Sequence, residues 1–213
     1  MLIKIVTTRR GDVYVCHDPF LAALKRRGFC DKYWVVASLR PVIVVQKGNP
    51  KGIHGLLDLA KPGLKVGLTD EKYSTCGHIA KLMLKKAGIE RKVKRNVVMT
   101  TRCHAEAANA VILKTLDAAI VWDATAFQRR DKLDIVEVEP QFMPKHGVDT
   151  VTTATFGPID MGYIRVTVAA LKCSKQIEAA RDFARFVASR EGREVFRKCG
   201  FSPPIEGGAT GGG

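Results

Sequence analysis

Between residues 42 and 122, short apolar runs alternate with segments of helical spacing, and a chain with that rhythm has few folds open to it. Val42-Ile-Val-Val45, Lys65-Val-Gly-Leu68, Asn96-Val-Val-Met99 and Asp117-Ala-Ala-Ile-Val-Trp122 read as buried strands. Leu56 to Ala60 makes a helical turn. Ile79, Leu82, Met83 and Lys86 mark a helix from Thr75 to Ala87 that Gly88 stops, and Ala105 to Leu113 forms another. Strands alternating with helices in this way predict a parallel sheet covered by helices on its faces.

The flanks are simpler. Leu2 to Thr8 reads as a helix end or short strand. Gly11 to Cys16 is a strand ending in the polar turn Cys16-His17-Asp18-Pro19, and Phe20 to Gly28 has helical spacing. Lys47-Gly-Asn-Pro50 and Lys61-Pro-Gly63 are breakers. Leu133 to Glu139 alternates like an exposed strand, and the stretch to Asp160 is rich in loops. Tyr163 to Leu171 is a strand, Gln176 to Ala188 a strongly amphipathic helix, and Glu191 to Cys199 a second helix ended by Gly200. The glycine-rich tail from Gly207 has the composition of a disordered segment.

A chain of 213 residues, 46% hydrophobic, is long enough to bury a real core. No window approaches the ~20 continuous apolar residues of a membrane span, and no export signal is visible in the first residues. The formal charge of +14 invites a nucleic-acid reading. Its carriers are scattered, however: Lys25 to Arg27 in one helix, Lys85 and Lys86 in another, Arg91 to Arg95 in a connecting turn, Arg129 and Arg130 elsewhere. Without a basic helix, zinc-finger spacing or an aromatic RNA-binding strand, nucleic acid is not an expected partner, and the charge implies only a general preference for anions. Six cysteines without a CxxC pair exclude a zinc ribbon or a compact disulfide scaffold; Cys173 with Cys199 is the pairing an exported protein could form.

Ligands of open α/β sheets lie beyond the carboxyl ends of the strands. Three loops qualify: Cys16-His17-Asp18, Ser74-Thr75-Cys76-Gly77-His78 and Thr100-Thr101-Arg102-Cys103-His104. Each precedes a helix whose first N–H groups are unsatisfied and carry positive partial charge, so together with Ser and Thr hydroxyls they suit an anion. The competing reading is that the hydroxyls cap their own helices. The same loops place Cys16 beside His17, Cys76 near His78 and Cys103 beside His104, a sulfur and imidazole set that zinc or copper selects. A thiol enzyme is a further possibility, since a helix N-terminus lowers a thiol pKa, but no orienting third residue is evident for Cys76 or Cys103. No GxSxG, P-loop or dinucleotide fingerprint is present.

Laid end to end from Leu2 to Pro203, these segments resemble the periplasmic molybdate-binding proteins of ABC transporters, within the type 2 solute-binding proteins. The matching pieces are Gly11-Asp-Val-Tyr-Val15, Pro41-Val-Ile-Val-Val-Gln-Lys-Gly-Asn-Pro-Lys-Gly-Ile53, Leu57-Asp-Leu-Ala-Lys-Pro-Gly63 and Asp117 to Trp122. The closing helices, Ala179 to Gly192 through Phe196 and Gly200-Phe201, match as well. The resemblance implies two α/β lobes, each a mostly parallel sheet flanked by helices, which close on a dehydrated tetrahedral oxyanion. Residues 1–44 would open lobe I, 45–160 form lobe II, 161–206 return to lobe I, and 207–213 trail as a tail.

In that family one N–H comes from the turn that here is Thr75-Cys76-Gly77, another from the helix start near His104, and a tyrosine hydroxyl from the position of Trp122, whose indole N–H is also a donor. The expected ligand set is therefore Ser74, Thr75, Cys76, Gly77, Cys103, His104 and Trp122, with Cys16 and His17 from the other lobe. The expected ligand is molybdate or tungstate, the alternative a transition metal on Cys16, His17, Cys76, His78, Cys103 and His104. The expected partner is an ABC-transporter permease, with no catalysis, no cofactor, a monomeric state and a periplasmic or cell-surface location. An effector-sensing domain of a transcription regulator would share the fold, but no helix-turn-helix segment accompanies it. Family members begin with roughly 50–60 further residues, somewhat more than one βαβ unit, that include two anion-gripping serines. The first lobe is therefore expected to be incomplete and the chain a fragment.

Overall fold

The computed structural model describes residues 2–153, 157–162 and 164–205. In chain order the elements are α1 (Leu2–Thr8), β1 (Val13–His17), α2 (Asp18–Arg26), β2 (Cys30–Ser38), β3 (Pro41–Gln46), a 3-10 turn (Leu56–Ala60), β4 (Val66–Thr69), α3 (Thr75–Lys86), α4 (Glu90–Asn96) and β5 (Val97–Thr101). They continue as α5 (His104–Ile112), β6 (Ala118–Trp122), α6 (Asp123–Phe127), β7 (Leu133–Val136), a second 3-10 turn (Pro140–Phe142), β8 (Thr150–Thr153), β9 (Gly157–Asp160), β10 (Arg165–Leu171), α7 (Ile177–Val187) and α8 (Arg190–Lys198). Two compact units result. Unit 1 draws on Met1–Leu39, Thr152–Ile159 and Tyr163–Gly213, and unit 2 on Arg40–Val151 and Asp160–Gly162. Tyr163 and the tail 207–213 lie outside the described residues.

Unit 2 is built on a five-stranded sheet in the order β5-β4-β6-β3-β7. β4 runs parallel to β5 and β6, whereas β3 runs antiparallel to β6 and β7, with Ile43 opposite Ile120 and Val44 opposite Ile135. The sheet is therefore mixed, with β3 running against the other four strands. Apolar runs record burial, not direction, and β3 and β6 are joined through the whole β4–α5 excursion, which leaves either direction open. The core forms where α5 crosses the sheet: Ala107, Ala108 and Val111 pack on Val42, Val44, Ala119 and Val121. On α3, Cys76, Ile79, Ala80, Met83 and Leu84 form the buried stripe. Each fully buried large aliphatic there contributes about 1.5–3 kcal/mol. Gly88 ends α3 with φ +68, a left-handed conformation that glycine adopts without strain; its N–H donates to Lys85 O and the next, from Ile89, to Leu84 O, at 3.0 Å each.

Unit 1 carries the antiparallel sheet β1-β10-β2, with α2, α7 and α8 packed on its strands. Here the mostly parallel expectation is corrected. Neighbouring β1 and β2 in sequence do not pair; β10, returning from far along the chain, lies between them and runs against both. Elements without a forecast include α6, and β8 and β9 in the stretch expected as loops. β2 was not anticipated, and the basic stretch Arg91 to Arg95, expected as a connecting turn, lies inside the helix α4, anchored by buried Val93 and by Asn96, whose amide donates to Leu59 O and Lys61 O at 2.8 and 2.7 Å.

Candidate functional site

β4, β5 and β6 run in one direction with β4 in the middle, so Thr69, Thr101 and Trp122 end at the same edge of unit 2. Each strand feeds a helix there. Thr69 leads through Asp70–Ser74 into α3, Thr101 through Arg102 and Cys103 into α5, and Trp122 directly into α6. The first two loops are tied together, because Asp70 N donates to Thr101 O at 2.7 Å. Asp70 also organises its own turn: its carbonyl accepts from Ser74 N at 2.9 Å, and its carboxylate from Lys72 N at 2.7 Å. The turn drives α3 onto the strand end. A Cβ at Gly77 would stand 2.5 Å from Thr69 O and 2.6 Å from Asp70 O, so only glycine fits.

The cap residues Ser74 and Cys103 are extended, and neither side chain accepts from the first turn of its helix. A serine at this position ordinarily does so. The first-turn donors of α3 and α5 therefore keep their positive partial charge at adjacent strand ends, without a side-chain acceptor from their own caps. His104, the first residue of α5, is fixed through Nδ1, which lies 2.8 Å from Oγ1 of buried Thr125 in α6. At the rim, the Arg102 guanidinium carbon stacks 4.8 Å from the centre of the Tyr73 ring, bridging the two loops with a formal positive charge.

The thiol of Cys76 does not belong to this edge. Cys76 is fully buried, its Sγ faces Ile120 O at 3.7 Å, and burial pushes its pKa up to about 12. The helix N-terminus was expected to lower it; burial wins, because a thiolate there would have no water. Beside it, the Thr69 hydroxyl is buried with no conventional hydrogen-bond partner among the described residues and faces the Cys76 sulfur, a weak acceptor. Thr75 and Ser74 are half-buried, Cys103 is exposed, and Trp122 is 2% exposed. The indole of Trp122 thus reaches a ligand only within the buried interior.

Cys16 and His17 belong to unit 1. The Cys16 thiol is buried against Thr167 Oγ1 at 3.6 Å and pushed up to about 12 by burial, and burial holds His17 below its usual pKa. The first turn of α2 already carries a negative charge of its own, since Asp18 accepts from Arg165 N at 2.7 Å and Arg165 Nε at 3.1 Å. An anion at that turn would meet this carboxylate. Among the described residues no group of three His, Cys, Asp or Glu side chains is placed to hold a metal. None of the six cysteines is in a disulfide; Cys173 Sγ faces Gly11 O, so the Cys173 to Cys199 pairing is absent.

Three participants had not been singled out: Asp70 as the turn organiser, Thr125 as the partner of His104, and Tyr73 as the platform for Arg102. Only the first had a signal, an Asp closing a strand before a small-residue turn. An open groove of about 540 Å³ runs beside this edge, between Tyr73, Lys81 and Lys94. Two of its lysines are already paired, Lys81 with Glu71 at 2.8 Å and Lys94 with Glu90 at 2.9 Å.

Known proteins bear on this geometry at three levels. A putative binding protein of Haemophilus influenzae is 22% identical over 204 residues, 95% of this chain and 76% of that protein. The molybdate-binding protein ModA of Mycobacterium tuberculosis is 28% identical over 164 residues, 76% of this chain but 54% of its own length, so the match spans about half of that relative. In three dimensions, the substrate-binding domain of a putative molybdenum ABC transporter from Clostridium difficile matches with a TM-score of 0.71 at 18% identity, covering 96% of this chain and 82% of its own, a likeness of fold. That fold is the two-lobed α/β fold of the periplasmic binding proteins. The model of the bacterial extracellular solute-binding proteins matches residues 2–202, and the chain belongs to that family.

Proposed function

We propose that this chain is the solute-binding component of an ABC importer for a tetrahedral oxyanion, molybdate or tungstate, held at the carboxyl ends of β4 and β5. The observation that carries the reading is the pair of long helices, α3 and α5, whose caps Ser74 and Cys103 leave their first-turn N–H groups without a side-chain acceptor. Thr75, Cys76 and Gly77 would contribute backbone N–H groups from α3, and His104 from α5. Ser74 and Thr75 add hydroxyls; the indole N–H of Trp122 would join them only for an anion drawn into the buried interior. Backbone donors suit an oxyanion that has shed its water, because they are fixed in advance and need no formal counter-charge. The thiol of Cys76 plays no part. Cys16 and His17 are not retained as ligands, since Asp18 already supplies the negative charge at the first turn of α2.

The description of the family as extracellular, and the molybdate-binding relative, support a periplasmic or cell-surface role in which a permease recognises the ligand-bound form. A ligand that binds only the folded state raises the melting temperature. Titration of the purified protein with molybdate, tungstate, sulfate, phosphate and zinc should raise it with the first two. A flat response to all four oxyanions in a folded protein contradicts the reading.

A further inference from the structure

Unit 1 contains a second concavity whose chemistry the proposed site does not use. Helix α8 carries Arg190, Arg193 and Arg197 at a spacing of three and four residues, which aligns them along one face. They line a groove of about 310 Å³ whose floor is β2 at Val36 and Ala37 and whose far wall is Phe201 with the prolines that follow it. The floor is irregular at this point. Ala37 pairs with Val166 and Val35 with Thr167, so Val36 is an extra residue, a bulge that breaks the ladder beside the groove.

The charges in the groove are not balanced. Arg197 is satisfied by Glu194, with Nε and Nη2 at 2.7 and 2.6 Å from its carboxylate. Arg193 is pinned to the floor by Nη2, which donates to Val35 O at 3.1 Å, and its other nitrogens have no carboxylate among the described residues. Arg190 has no ion pair among the described residues. Three guanidiniums against one carboxylate leave two positive charges facing an apolar wall. The groove sits at the small end of organic-ligand sites, which span about 300–1,000 Å³.

We infer that this groove binds a small organic dianion, a phosphate monoester or a dicarboxylate, with its charged group between Arg190 and Arg193 and its carbon body on Phe201. Guanidinium forks match both oxyanions in bidentate geometry, and the bulge and Phe201 give the rest of the molecule a surface that inorganic phosphate does not use. The inference does not depend on the oxyanion reading of α3 and α5, which belong to unit 2.

Isothermal titration of the full chain with glycerol 3-phosphate, phosphoenolpyruvate and succinate at physiological salt tests it. Saturable binding of at least one is expected, weakened about tenfold or more by Arg190→Gln and by Arg193→Gln. Arg185→Gln removes the same charge from α7 outside the groove and should change affinity less than about twofold. No binding by the native protein overturns the inference. So does equal weakening by Arg185→Gln, which would mean general attraction to a basic surface, or binding confined to phosphatidate vesicles, which would assign the arginines to a lipid headgroup.

Discussion

Gly77 lies against Thr69 so closely that a Cβ would stand 2.5 Å from the Thr69 carbonyl oxygen. That contact holds the first turn of α3 at the end of β4 and sets where its N–H groups point. Gly77→Ala should force the helix start outward, at about 1–3 kcal/mol of stability, the usual cost of overpacking. Oxyanion affinity should fall about tenfold or more, equivalent to 1.4 kcal/mol of binding. Denaturant unfolding and ligand titration check the two separately. Full affinity in a destabilised protein would show that the α3 terminus is not the site.

Cys76 separates backbone from thiol chemistry. Because its sulfur is fully buried with a pKa pushed to about 12, it should resist an alkylating reagent in the folded protein at pH 8, while exposed Cys103 and Cys199 react. Cys76→Ala keeps the backbone N–H, so binding should change less than about twofold although stability drops by about 1–2 kcal/mol. Mass-spectrometric mapping of labelled cysteines and a titration of the variant give both answers. Rapid labelling of Cys76, or abolished binding in the alanine variant, would contradict the backbone role.

Arg102 stacks on Tyr73 between the two loops, and its charge should act mainly on encounter. Arg102→Gln is expected to slow oxyanion association about two- to tenfold at low salt, with the difference fading above 0.5 M salt as screening shortens its reach. Tyr73→Leu should reproduce part of this by freeing the guanidinium. Stopped-flow measurement over a range of salt concentrations reads the effect. An unchanged association rate at low salt would place Arg102 outside the path of the anion.

Stability should depend on pH in two steps. Burial holds His17 and His78 below the ordinary 6.5. As pH falls below 6.5 the unfolded chain takes up protons that the folded protein refuses, so their contribution is complete above 6.5 and is lost between that value and the folded pKa. Asp31, kept low by its hydrogen bond from the Arg181 guanidinium, behaves likewise but starts from 3.8. The urea midpoint should hold from pH 8 to 7, decline through the range where histidine titrates, and fall again below about pH 4. His17→Gln should flatten the first decline. A midpoint constant from pH 7 to 5 would contradict the burial of these imidazoles.

The alternation of strands and helices in unit 2 was legible because Val42 to Val45 and Ala118 to Trp122 are apolar and buried at every position, and Gly88 punctuates α3. β2 was not, since Cys30-Asp-Lys-Tyr opens with charges and only its second half is buried throughout. α4 escaped for the same reason: Val93 is its one buried apolar residue. Pairing direction is a long-range property. Nothing near Val13 or Cys30 announces that β10 will come between them. At the site, loop membership located Ser74, Cys103 and His104 correctly at the strand ends, but not the inward turn of Cys76. That turn had a signal: Cys76, Ile79, Ala80 and Met83 follow the spacing of a buried stripe, which makes the thiol part of the core. The partnership of His104 with Thr125 had none, being a contact between helices 21 residues apart.

The central claim is that an oxyanion is held by backbone N–H groups at the starts of α3 and α5. Amide proton and nitrogen shifts followed by NMR during titration with molybdate test it most directly. The account predicts large, saturable changes at Thr75, Cys76, Gly77 and His104, with one common affinity and a response to tungstate at the same amides. Saturable changes that leave those four amides unmoved, or no saturable change at any amide of the folded protein, would contradict it.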